Sequence, residues 1–208
     1  MAAHNTPLHF KKLIGEKVYL SPLNSEDVER FTTWLNDMEM TQYLTISHHI
    51  YSMQKEKEYL DKKVTSDAKA FAIIDRESDR LLGACDLFDV DMLHGTAELG
   101  IFIGEKSFWG RGFGRDAVKL VLDFGFSVLN LRNIWLRTLS VNERGIKSFE
   151  HAGFKSIGVR RGAYTICGAS YDWVFMDITA EEFESTYVKS VWEKARTGER
   201  PHQISLLD

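Results

Sequence analysis

Apolar and polar residues alternate through "EKVYLSPL" (16–23), the period-two pattern of a strand with one buried face. Asn24 or Ser25 can cap a helix through about Asp37, in which Val28, Phe31 and Leu35 recur at helical spacing. A polar and aromatic connection, "DMEMTQYLTISHHIYS" (37–52), leads to "MQKEKEYLDKKV" (53–64), a highly charged second helix. "KAFAIID" (69–75) and "RLLGACDLFDVD" (80–91) read as a strand pair turning at Glu77 to Asp79, and "GTAELGIFIG" (95–104) as a further strand. Strands joined by such short turns point to an antiparallel sheet.

The period then changes. From Arg115 to Leu129, Ala117, Leu120, Val121, Phe124 and Val128 fall on one helical face beside Val118, Leu122 and Leu129, so this helix is broadly buried. "NIWLRTLS" (133–140) reads as a strand and "NERGIKSFEHAGF" (142–154) as a helix that Gly153 ends in the left-handed conformation. "KSIGVRR" (155–161) and "SYDWVFMDI" (170–178) are closing strands. Thr179 and Glu182 form a capping-box pattern before "FESTYVKSVWEKA", which predicts a last helix over about 180–197 with Phe183, Tyr187 and Val191 as its apolar stripe. A strand–helix–strand–helix centre after an antiparallel start gives an α+β (mixed α/β) fold. With three prolines in 208 residues there are few candidate linkers, and one domain over 1–208 is expected.

Composition narrows the function classes. A net charge of −4 argues against a dedicated nucleic-acid binder, which carries a basic patch. Cys85 and Cys167 make no disulfide framework and are expected as reduced core residues of a cytoplasmic protein. The opening "MAAHNTPLHFKK" lacks the apolar core of a signal peptide, and no apolar run reaches the ~18 residues of a membrane span, so no membrane partner is expected.

The candidate chemistry lies in "EKSFWGRGFGRDAVKLVLDFGF" (105–126), where Gly110, Gly112 and Gly114 alternate with Arg111 and Phe113 just before the long helix. Gly112 to Ala117 satisfies a G-x-G-x-x-A dinucleotide fingerprint. It sits mid-chain after antiparallel strands, however, and no acidic residue ends the next strand, which leaves a nucleotide-dependent oxidoreductase a distant reading. No Gly-Lys-Ser/Thr follows, so it is not a Walker P-loop. What remains is a run of exposed amides at a helix N-terminus, where the helix dipole favours a phosphate and Arg111 and Arg115 add charge.

With its surroundings, "AELGIFIGEKSFWGRGFGRDAVKLVLDFGF", "LRNIWLRTLSVNERGIKSFEHAGF" and "YDWVFMDI", this stretch resembles the GNAT superfamily of acetyl-CoA-dependent N-acetyltransferases. It is most similar to the branch of ribosomal-protein N-terminal and spermidine acetyltransferases. The likeness covers about 17–178 and implies a mixed, mostly antiparallel, twisted sheet of six to seven strands flanked by helices. The family motif (Arg/Gln)-x-x-Gly-x-(Gly/Ala) matches Trp109 to Gly114, with Trp109 in place of Arg/Gln. The resemblance implies that the diphosphate of acetyl-CoA sits on the amides of Gly112, Phe113, Gly114, Arg115 and Asp116, with Arg111 beside it. It implies that the pantetheine arm runs beside the strand of Leu99, Ile101 and Ile103, whose bulged region offers an N–H to the thioester carbonyl. Asn142 matches the residue that contacts the arm, a role compatible with capping the next helix.

For the chemistry, the resemblance points to Glu98 as the base, acting directly or through a water, or as a carboxylate that only anchors the substrate cation. Where many relatives carry a tyrosine that protonates the leaving thiolate, this chain has Phe149. Ser148 and Phe149 are read as cofactor contacts, and a dedicated general acid is in doubt. Phe149 also keeps open an acyl-CoA sensor or scaffold of the same fold. Tyr43, His49 and Tyr171 are candidates to line the site for an amine acceptor, a protein N-terminus or a small amine. Asp172 either attracts that cation or pairs with an arginine. No metal is expected, because His48 and His49 have no third ligand at suitable spacing. Such enzymes are often homodimers, and the stripe of the last helix is available to an interface or to the core.

Overall fold

The computed structural model describes residues 8–44 and 46–197. The reading of the first seven residues as part of no signal peptide lies outside them. The chain forms one sheet of eight strands: β1 Leu13–Ile14, β2 Val18–Pro22, β3 Lys69–Asp75, β4 Leu81–Asp91, β5 Thr96–Ile103, β6 Asn133–Leu139, β7 Lys155–Ile166 and β8 Ala169–Thr179. Their order is β1-β2-β3-β4-β5-β6-β8-β7, and β5–β6 is the parallel pair. The sheet is therefore mixed and mostly antiparallel, as expected, but has eight strands rather than six or seven. The additional one is β1, too short to show a period, which pairs Leu13 with Leu20 and Ile14 with Tyr19.

Six α-helices flank the sheet: α1 Val28–Leu35, α2 Met38–Thr41, α3 Met53–Thr65, α4 Phe113–Ser127, α5 Glu143–Glu150 and α6 Tyr187–Thr197. Asn24 caps the first helical turn, a short 3-10 segment that runs into α1, by accepting from Glu26 N. The connection after Asp37 contains α2, a single turn whose amides at Glu39 and Met40 are held by Asp37. Gly153 takes a left-handed φ of 105° just past α5, as its position predicted. The capping box of Thr179 and Glu182 is formed, but it closes only the 3-10 turn Ala180–Glu182. The last helix therefore begins at Tyr187, later than the box suggested. Cys85 is buried as expected, whereas Cys167 is exposed in the β7–β8 turn.

Two apolar layers hold the elements. On one side α4 packs Ala117, Val118, Val121 and Leu122 against Leu20, Ile73, Leu87, Leu99, Ile134 and Met176 of the strands. On the other, Phe31, Trp34 and Leu35 of α1 and Leu60 of α3 cover Tyr19, Ala72 and Ile74. Burial of each large side chain contributes on the order of 1.5–3 kcal/mol.

One anchor was invisible to periodicity. Asp123, 1% exposed in the middle of α4, accepts hydrogen bonds from Ser185 Oγ (2.6 Å), Tyr187 N (2.9 Å) and Val188 N (3.0 Å). A carboxylate from one helix thus satisfies the orphan amides that begin another, and the dipole of α6 favours its charge. Of the residues expected on the stripe, Phe183 and Tyr187 pack on the core, while Val191 is exposed beside Trp192. Replacing Asp123 with alanine strands those donors and should cost about 3 kcal/mol. The expected fall in Tm is roughly 6–12 °C, measured by thermal unfolding.

Candidate active site

The parallel pairing of β5 with β6 covers three residue pairs, Thr96–Asn133, Ala97–Ile134 and Glu98–Trp135, and stops. Beyond it β5 runs on to Ile103 and β6 to Leu139 without further pairing, so the strands part like a V. Main-chain groups on the open edge of β5 are left for an added chain to pair with. The resemblance placed a bulge on β5 itself; β5 is regular there. Phe88 pairs with Glu98 and Asp91 with Thr96, so the additional residue lies on β4, where Asp89 takes a φ of 49°.

Two cavities open from the V. The larger, about 620 Å³, runs from Ile101 and Ile103 past Phe108–Val118 to the start of α5. The smaller, about 300 Å³, lies over Glu98, Gly100 and Phe88 and is closed by Leu136–Leu139 and Trp173. Tyr43, Leu44, Ile101, Phe102, Asn142 and Phe149 line both. The two spaces therefore meet at the mouth of the V.

In the larger cavity, α4 starts at Gly112, whose φ of 87° suits glycine and which has no side chain to cap the helix. The first amides of α4 thus receive no side-chain cap. A Cβ on Gly112 would point toward Lys17 and Arg115 with 3.7 Å to the nearest atom. This glycine answers to a backbone turn and to open space, not to crowding. Gly114 is different: it is helical, and a Cβ there would make ordinary contact with Ile103 at 3.5 Å.

Five cations line this cavity, Lys17, Arg111, Arg115, Arg144 and Lys147, with no carboxylate among the lining residues. Among the described residues none of the five forms an ion pair. Aromatic rings hold several of them in place: Lys17 Nζ lies 5.4 Å and the Arg111 guanidinium 5.5 Å from the centre of Phe113, and Arg111 also lies 5.3 Å from Phe108. The Arg144 guanidinium stacks at 4.2 Å on Trp109, whose indole N–H donates to Ile103 O at 2.6 Å. The tryptophan that replaces the family Arg/Gln thus ties the glycine loop to the end of β5.

Asp116 does not line either cavity. Its carboxylate accepts from Lys17 N (2.8 Å) and Val18 N (3.0 Å), which fastens the β1–β2 turn to α4 and brings Lys17 to the cleft. Asn142 Oδ1 caps α5 at Gly145 N (3.1 Å), its amide donates to Thr138 Oγ1 (3.0 Å), and the residue lines both cavities. Leu99 lines the smaller cavity, Ile101 both, and Ile103, Arg111, Phe113, Arg115 and Ser148 the larger one. Phe149 lines both and packs edge-on against Phe154 at 6.0 Å. It has no proton to give.

Glu98 is 3% exposed and faces the smaller cavity, its Oε1 3.1 Å from Arg137 Nε. Burial pushes its carboxyl above the usual glutamate range; Arg137 pulls it back, and Asp89 and Asp86 push it up again. Of the three candidate acceptor contacts, Tyr43 lines both cavities. His49 stacks on His48 at 3.9 Å and Tyr171 pairs with Tyr164 across β7–β8; neither lines a cavity. Asp172 makes no ion pair among the described residues, because it accepts from Gly162 N at 2.8 Å within the same hairpin. Among those residues no group of three His, Cys, Asp or Glu is placed to hold a metal, and no helix is long and apolar enough to cross a membrane. Lys17, Arg137, Arg144, Lys147 and Trp173 are the lining residues that sequence reasoning missed. They come from distant parts of the chain: Asp116 holds the turn that carries Lys17, α5 carries Arg144 and Lys147, and the parting strands open the space around Arg137 and Trp173.

A cationic seat on an uncapped helix opens into a split strand pair with a buried carboxylate beyond it, an arrangement that suits an anionic ligand reaching toward that carboxylate. The chain belongs to the acetyltransferase (GNAT) family, whose model matches residues 17–155. It is 27% identical over 175 residues to an uncharacterized N-acetyltransferase p20 of Bacillus licheniformis, covering 82% of this chain and 97% of that one. It is 27% identical over 158 residues to the alpha/beta-tubulin-N-acetyltransferase 9 of Mus musculus, covering 71% and 65%. In fold it matches the spermidine N-acetyltransferase of Vibrio cholerae solved with CoA and spermine, at a TM-score of 0.72 and 24% identity over 80% of this chain and 97% of that one.

Replacing Gly112 with valine forces a β-branched residue into a left-handed turn and fills the seat. Coenzyme A affinity by calorimetry should fall at least ~10-fold, while Gly114→Ala should leave it within about threefold. Because the cations carry no partners, affinity should also drop as ionic strength rises.

Proposed function

We propose that this enzyme transfers the acetyl group of acetyl-CoA directly to a primary amine while both substrates are bound. The observation that carries the reading is the meeting of the two cavities at the mouth of the V, with Glu98 on the acceptor side and the cations on the other. Acetyl-CoA is read as lying with its diphosphate against the amides after Gly112 and its arm along β5. Much of the catalysis is then positioning, since a thioester is already reactive toward amines.

The amine enters as an ammonium with a pKa of ~10 and must lose a proton. Glu98, with its affinity for protons raised by burial, takes it. The freed nitrogen attacks the thioester carbon, a C–N bond forms, and the carbonyl electrons move onto oxygen. When they return, the C–S bond breaks, coenzyme A leaves as a thiolate, and the nitrogen gives up its second proton to solvent to become the amide. Phe149 offers that thiolate no proton, so solvent supplies it. Asn142 and the edge of β5 hold the arm meanwhile. The acceptor is a protein N-terminus or a small amine. A homodimer, a cytoplasmic setting and one N-acetyltransferase domain belong to the same proposal, with exposed Val191 and Trp192 of α6 as an apolar face for the first.

In a thiol-release assay with acetyl-CoA and an amine panel, Glu98→Gln should lower kcat by at least ~10²-fold and leave the KM for acetyl-CoA unchanged. The wild-type rate should fall as pH drops through the raised Glu98 value, because the protonated carboxyl is no base, and the glutamine variant should lose that limb. Equal rates for the two enzymes would remove Glu98 from the mechanism.

A further inference from the structure

Arg137 enters the smaller cavity from β6 and is the one cation among its lining residues, as Glu98 is the one carboxylate. The guanidinium lies 4.0 Å from the centre of the Trp173 ring, which fixes its plane. It meets Glu98 through Nε at 3.1 Å. Its two terminal nitrogens make no hydrogen bond or ion pair among the described residues. Arg137 is 40% exposed against 4% for Glu98, so the fork opens toward the entering substrate. The neighbouring indole N–H of Trp173 also has no hydrogen-bond partner. That indole nitrogen is itself buried, so the accessible free donors at this end of the pocket are the two terminal guanidinium nitrogens. The remaining lining, including Tyr43, Leu44, Ile46 and Phe88, adds no negative charge.

We infer that Arg137 selects acceptors whose amine stands next to a carbonyl or carboxylate oxygen, so that the enzyme prefers α-amino carbonyl compounds to polyamines. The inference rests on the proposed acetyl transfer and specifies its acceptor. The planar fork suits an oxygen acceptor bound while Glu98 receives the ammonium. A polyamine would bring several positive charges to a pocket lined by one carboxylate that already faces a cation. Of the carboxylates that act on Glu98 from outside the lining, Asp86 is paired with Lys63 at 3.0 Å and Asp89 alone is left to offset them. Two sources share the favoured chemistry: the first peptide carbonyl of a protein N-terminus and the carboxylate of a free amino acid.

The test is thiol release by the full chain with acetyl-CoA and three acceptors: an alanyl tetrapeptide amide, free alanine and spermidine. The wild type should show a kcat/KM at least ~10-fold higher for the peptide or for alanine than for spermidine, and the better of the two names the source. Arg137→Gln and Arg137→Lys should raise the KM for that acceptor by about tenfold or more and leave the KM for spermidine unchanged or lowered, while kcat, which also answers to Glu98 losing its ion-pair partner, changes alike for all three acceptors. Coenzyme A affinity and melting temperature report that the variants are folded; if they are not, the wild-type ranking decides alone. Spermidine equal to or better than both others, or an equal rise in KM for all three in Arg137→Gln, would overturn the inference while acetyl transfer stands. Turnover of none, with coenzyme A bound, would instead refute the proposed function and the inference with it.

Discussion

Everything in this enzyme depends on β5 and β6 parting after three parallel pairs. Pairing as far as Glu98 and Trp135 joins the two halves of the sheet into one body. Its end leaves polar main-chain groups facing an opening, where a folded protein would otherwise satisfy them. Both cavities are consequences of that gap, and so is the position of Glu98 at its apex. The last paired residue is also the buried carboxylate. The geometry that ends the ladder is therefore the geometry that aims the Glu98 carboxylate at the gap.

Charge is distributed to the same end. The chain carries a net charge of −4, yet five unpaired cations converge on the larger cavity. Nearby carboxylates are engaged elsewhere: Asp116 holds the amides of Lys17 and Val18, and Asp123 holds the start of α6. Aromatic faces take the place of acidic partners for Lys17, Arg111 and Arg144. A ring steadies a cation without neutralising it. The cations thus keep their full field in the cavity, which a salt bridge would have quenched.

What was legible from sequence was local. The buried helix after the glycines, the strand pair of β3 and β4 and the left-handed Gly153 all follow from short-range period and backbone freedom. The glycine stretch was readable as a turn into α4 because Gly110 and Gly112 take left-handed φ values of 70° and 87°, which glycine adopts freely. The capping box misled because it is satisfied by one turn as well as by a long helix, and the true start of α6 is held by Asp123, distant in sequence. Lys17 and Arg137 were missed for the same reason. Their roles come from Asp116 fastening a remote turn and from β6 diverging from β5, and neither leaves a mark on the residues beside them. Asp116 itself was assigned to the cofactor by its place in the motif, whereas its carboxylate works one step removed.

The bare start of α4 has a consequence beyond catalysis. Amides at a helix start without a side-chain cap are open to an acceptor, and any ligand that binds them in the folded chain and not in the unfolded one links occupancy to folding. At a hundredfold excess over the dissociation constant, ligand alone adds about 2.7 kcal/mol to the folded state. Whatever ligand seats itself there would therefore also slow unfolding and proteolysis of the chain.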